Sequence, residues 1–152
     1  MAKPRLYYDK KKEIWDPLVS NESEMSIFNS YKDLFLLAVC IGFANDERKP
    51  LTDSGKEGEI FWEYLSEENK MAIDAIVLST TSDLRLLIDS DEKFLKQKID
   101  MAQEFANGGI EIIKKEVLEQ SGSPLDNLIS YIHKISKKEK KKGYIENIED
   151  EF

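Results

Sequence analysis

Apolar positions recur along this chain at helical spacing, and short polar breaks divide them into segments. The strongest run covers residues 34–44, which follow Asp33 and are apolar on nearly every side. A helix of that kind sits among several neighbours. Its Leu, Ala and Phe content favours helix over buried strand. Ser30 serves as its N-cap, with Asp33 in the first turn. Ser66 caps a second helix, with Met71, Ala72, Ala75, Ile76 and Leu78 along a broad apolar side. After a break at residues 79–82, Leu84, Leu87 and Ile88 form a short apolar face.

A further helix is expected over residues 92–107, where Leu95, Ile99, Ala102 and Ala106 fall on one stripe. Gly108 and Gly109 read as a tight joint, with Gly108 the C-cap. Ile110, Ile113 and Val117 then restart the pattern up to Ser121 and Gly122. The last helix has the best start signal, Ser123 as cap and Pro124 at the first helical position. Leu125, Leu128, Ile132 and Ile135 mark its face, broadened by Ile129.

Upstream of these helices the pattern is weaker. Residues 5–8 read as a short edge strand or an extended arm, and Ile14, Trp15, Leu18 and Val19 as a helical turn around Pro17. A strand followed by two helices resembles ribbon-helix-helix proteins in outline. Residues 45–58 form the longest polar connection. The cluster Ile60, Phe61, Trp62, Tyr64 and Leu65 after it clamps the loop onto the core, as strand, turn or helix start. The expectation is mainly α: a compact orthogonal or antiparallel bundle of five to six helices, with or without a short N-terminal strand. Residues 1–136 form one helical domain, and 137–152 a mobile charged tail.

Composition narrows the possible chemistry. The chain has 152 residues, one domain of ordinary size, with 30 acidic and 22 basic side chains and a net charge of −8. That balance opposes a large non-specific nucleic-acid surface. Residues 1–6 lack a signal-peptide core, and the longest apolar run falls well short of the roughly 20 residues a bilayer needs. The single cysteine, Cys40, lies in the apolar run and reads as a buried core thiol in a reducing, cytoplasmic compartment.

One cysteine and one histidine, His133, cannot make a common zinc site, and no glycine-rich phosphate loop is present. His133 reads as a surface or helix-terminal side chain. Acidic pairs such as Glu67 with Glu68 and Asp89 with Asp91 are expected on solvated faces and helix starts. They leave a carboxylate-bound metal, and an enzyme built on it, as an outside alternative. No catalytic residue and no cofactor is assigned. Two basic segments are candidate nucleic-acid contacts: Lys10, Lys11 and Lys12, and Lys137, Lys138, Lys140, Lys141 and Lys142.

Three blocks carry a family resemblance. The first is the stretch 31–38 continuing through Ile41, Gly42 and Phe43 to Arg48, Pro50 and Leu51. The second is 104–112, and the third runs from Ser123-Pro124-Leu125 to Leu128. In order and spacing they resemble small proteins associated with DNA phosphorothioation systems, over residues 27–132. The resemblance implies an accessory protein encoded with DNA sulfur-modification and restriction genes that defend against foreign DNA. It implies no catalytic residues, and it leaves both lysine segments outside the matched part. The expected role is therefore a non-catalytic adaptor working through protein contacts, as a monomer or a homodimer. Its candidate contact residues are Arg48, Phe61, Trp62 and Tyr64. DNA binding through the lysines is the alternative.

Overall fold

The structure is a computed structural model. It describes residues 3–9, 13–19, 26–52 and 58–150, with side chains in the last span described to residue 138. Among the described residues there are five α-helices and one two-stranded antiparallel sheet. Strand β1 (Arg5–Tyr8) pairs with β2 (Gly58–Phe61), setting Arg5 opposite Phe61 and Tyr8 opposite Gly58. Residues 5–8 are thus a strand, but the partner lies in the same chain, unlike the intermolecular ribbon of ribbon-helix-helix proteins. The aromatic cluster divides: β2 takes Ile60 and Phe61, and a 3-10 turn takes Trp62–Tyr64. At Gly58 a Cβ would stand 2.2 Å from the Tyr8 ring, so the pairing requires glycine there.

Helix α1 (Trp15–Val19) packs Trp15, Leu18 and Val19 into the core despite Pro17. Helix α2 (Tyr31–Ala44) begins at Ser30, whose hydroxyl accepts from Asp33 N–H at 3.3 Å. Helix α3 (Glu67–Thr81) begins at Ser66 in the same way, accepting from Asn69 N–H at 3.1 Å. Its buried face is Ile73, Ile76 and Val77, while Met71, Ala72 and Ala75 are exposed. The broad apolar side is therefore covered on one half only. A 3-10 turn (Leu84–Leu87) leads to Asp91, which caps α4 (Glu92–Ile113).

Helix α4 does not stop at Gly108. It runs through both glycines to Ile113 and then into a π turn (Lys114–Leu118). The glycines act in packing instead. A Cβ on Gly109 would lie 1.8 Å from the Ala38 carbonyl oxygen of α2, and one on Gly108 2.4 Å from the Glu47 carbonyl oxygen. Across the same crossing, a Cβ on Gly42 would lie 2.1 Å from Phe105 O. Helices α2 and α4 thus meet backbone to backbone at the centre of the core, the close approach that glycine permits. Leu34, Phe35, Ala38, Val39, Phe105, Ala106 and Ile110 fill the space around the crossing.

Helix α5 (Pro124–Asp150) starts at Ser123, whose hydroxyl accepts from Asp126 N–H at 3.3 Å. It is tied to the π turn by Asn127, which donates to Val117 O at 3.0 Å. As backbone it continues past Ser136, where the apolar pattern stops, and past Gly143. Lysine and glutamate sustain helix by propensity without burial. His133 is consequently exposed in mid-helix rather than at a helix end.

Candidate functional site

The expected contact residues separate in the fold. Phe61 is half-buried in β2, with the Arg5 guanidinium 4.9 Å from its ring centre and Tyr64 edge-on at 5.6 Å. Tyr64 is 65 % exposed. Trp62 turns the other way into the core. Arg48 follows α2 and is engaged by α4: it pairs with Glu104 at 3.1 Å and lies over the Phe105 ring at 5.2 Å. Phe61 and Tyr64 therefore form one small aromatic surface, while Arg48 braces the loop after α2.

Of the lysines, Lys10, Lys11 and Lys12 lie outside the described residues. Lys137 and Lys138 are exposed on α5. Lys140, Lys141 and Lys142 belong to the helical backbone of α5, with side chains outside the described part.

Cys40 departs from expectation. It is exposed, lining an apolar groove of about 290 Å³ between α2 and α3 with Leu36, Leu37, Ala72 and Ile76. Partial desolvation against these side chains pushes its thiol pKa up, so it is a poorer nucleophile than a free thiol. The apolar run is wider than the face its neighbours cover, which leaves one side of α2 open.

A buried cation escaped the sequence reading. The Lys98 side chain is fully buried, and its Nζ donates to Asp74 Oδ1 at 2.6 Å and to Asp89 Oδ1. It also stands 5.3 Å from the Trp62 ring centre. One lysine thus ties α3, the segment before α4 and the aromatic turn together. The signal was present: position 98 is three residues after Leu95 and four before Ala102, on the apolar stripe itself.

Helix α5 supplies two further surfaces. Leu128 and Tyr131 are buried and Ile135 packs against the core, whereas Leu125, Ile129 and Ile132 are 50 %, 48 % and 42 % exposed. Only half of the apolar arc of α5 is covered. On another side of the helix, a groove of about 320 Å³ lies between α5 and the end of α4, walled by Ile112, Tyr131 and Ile135 and bordered by Lys115, Lys134 and Lys138. Tyr131 Oη accepts from Asn45 Nδ2 at 2.9 Å, and burial raises the tyrosine's pKa, opposed by that hydrogen bond and aided by Glu116.

Among the described residues, no group of three or more His, Cys, Asp or Glu side chains is placed to hold a metal ion. The carboxylate-metal alternative has no site there. No described helix is long and apolar enough to cross a membrane.

The family model described as DNA sulphur modification system-associated protein 4 matches residues 7–150. The chain belongs to this family. As a DNA sulphur modification system-associated protein, it is an accessory component of such a system. The match extends beyond the three blocks that carry the resemblance and takes in both lysine segments. No curated protein and no solved structure matches the chain.

Proposed function

We propose that this accessory protein is a non-catalytic adaptor that binds other proteins of the DNA sulfur-modification system in the cytoplasm. The observation that carries the reading is the uncovered half of the α5 apolar arc. Leu125, Ile129 and Ile132 form a contiguous helical stripe held exposed by a helix anchored on its other side. Contiguous exposed apolar surface of this kind marks protein contact sites more often than scattered single residues do. The exposed Tyr64 over Phe61 offers a second, smaller contact.

The experiment is a pull-down with the full chain from cells expressing the whole system at native abundance. Recovery of a protein of the system, reduced by Ile129→Asp, is expected. Recovery of none with the wild-type chain overturns the adaptor reading. A second reading, DNA contact, is favoured by Lys137 and Lys138 standing exposed on α5. Salt-sensitive binding to duplex DNA that disappears when both lysines are replaced by Glu would support it.

A further inference from the structure

Resting on the adaptor reading, we propose that the groove between α5 and the end of α4 docks an acidic, partly apolar segment of a partner protein. Three lysines border it, Lys115, Lys134 and Lys138, and all three are exposed. None of them has an ion pair among the described residues. Some lysines of this acidic chain are paired, as Lys96 is with Asp100 and Lys3 with Glu63, while others such as Lys32, Lys93 and Lys114 stand singly without an ion pair among the described residues. What marks the groove is the gathering of three unpaired lysines around one concavity, where they outnumber its two carboxylates on a chain of net charge −8.

The wall of the groove supplies a fourth donor. Asn45 Nδ2 donates to both Ile41 O and Tyr131 Oη, each at 2.9 Å. A hydroxyl that accepts from an amide keeps its own hydrogen for another acceptor. Among the described residues that hydrogen makes no further hydrogen bond, with the Glu116 carboxylate near it in the same groove. Tyr131 thus brings an O–H donor to the groove, and its raised pKa keeps that hydrogen in place.

Glu47 and Glu116 also line the groove and decide between classes of occupant. A nucleic-acid backbone presents negative charge throughout and would meet both carboxylates unfavourably. A protein segment matches mixed charge, giving carboxylates to the lysines and Tyr131 and avoiding acids opposite Glu47 and Glu116. Ile112 and Ile135 provide the apolar wall that a protein side chain fills and a phosphate does not. Complementarity of this kind sets partner choice and encounter rate.

The test measures binding of the full chain to each purified protein of the same DNA sulfur-modification system, at low and raised salt. One of them should bind the wild type, and K134E/K138E should weaken that binding about tenfold or more. The reversal K96E, made on an exposed lysine of α4 away from the groove, should leave it unchanged. Tyr131→Phe should weaken binding severalfold while the circular dichroism spectrum stays native.

Binding to a protein of the system that responds to K134E/K138E no more than to K96E overturns the groove and leaves the adaptor reading standing. Transfer of the lysine dependence to duplex DNA overturns the choice of a protein occupant. So does a homodimer, seen by sedimentation, that K134E/K138E dissociates. If no protein of the system binds the wild type, the adaptor reading and this inference fall together.

Discussion

Replacing Gly109 by alanine tests the central packing claim, that α2 and α4 touch backbone to backbone. In isolation the change favours helix by about 1 kcal/mol, because glycine is the poorer helix former. In the fold the new Cβ would stand 1.8 Å from the Ala38 carbonyl oxygen, where ordinary contact begins at 3.4 Å. The obstacle is main chain inside a helix, so no rotamer change relieves it. The two helices must part by roughly 1.5 Å across a core packed like a crystal. Overpacking of this sort costs about 1–3 kcal/mol and occasionally more, and a rigid obstacle places it at the upper end.

After the helix gain is subtracted, a net loss of about 2 kcal/mol is expected, or about 4–8 °C in melting temperature for a chain of this length. Urea unfolding followed by circular dichroism measures it, with an unchanged m-value. Gly42→Ala, facing Phe105 O at 2.1 Å, should behave alike. Adding Ala38→Gly should rescue neither, since it leaves the carbonyl in place. A Gly109→Ala protein as stable as wild type, or more stable, would refute the close crossing.

Two further perturbations probe the charged and aromatic parts of the core. Asp74→Asn with Asp89→Asn strands the Lys98 ammonium without its counter-charges and should cost roughly 3–5 kcal/mol, while adding Lys98→Met should restore most of it. Failure of the methionine to restore stability in urea unfolding would mean that the stranded charge is not the source of the loss. Tyr8 is pushed up to about 12 from 10.0, first by burial and then by the nearby Tyr31 and Asp16. The folded state favours the neutral phenol, so this contribution is fully present below pH 10 and lost as pH rises towards 12. The stability difference between wild type and Tyr8→Phe should shift over that interval, and a difference that stays flat would count against the burial of Tyr8.

Several features were legible in the sequence because their causes are local. Ser30, Ser66 and Ser123 cap their helices through hydrogen bonds spanning three residues, and Pro124 opens α5 for an equally local reason. The mainly helical fold follows from periodicity that needs no knowledge of distant partners, whereas residues 5–8, open between strand and arm in the sequence, become a strand only by pairing with β2. Family membership was legible from the order of three blocks, though its extent was underestimated.

Tertiary structure alone decided which of several equally apolar surfaces were covered. Gly108 and Gly109 satisfy the rule for a helix stop, yet the approach of α2 makes them a packing site inside a continuous helix. Cys40 lies in the most apolar segment of the chain and is still exposed, because α3 leaves that side of α2 open. Lys98 is charged and buried because Asp74 and Asp89 arrive from other segments. The groove beside Tyr131 exists only where α5 crosses the end of α4, and its lysines come from two elements separated in sequence. Helix formation is set within a few residues. Coverage depends on which distant surface arrives, and no local pattern encodes that.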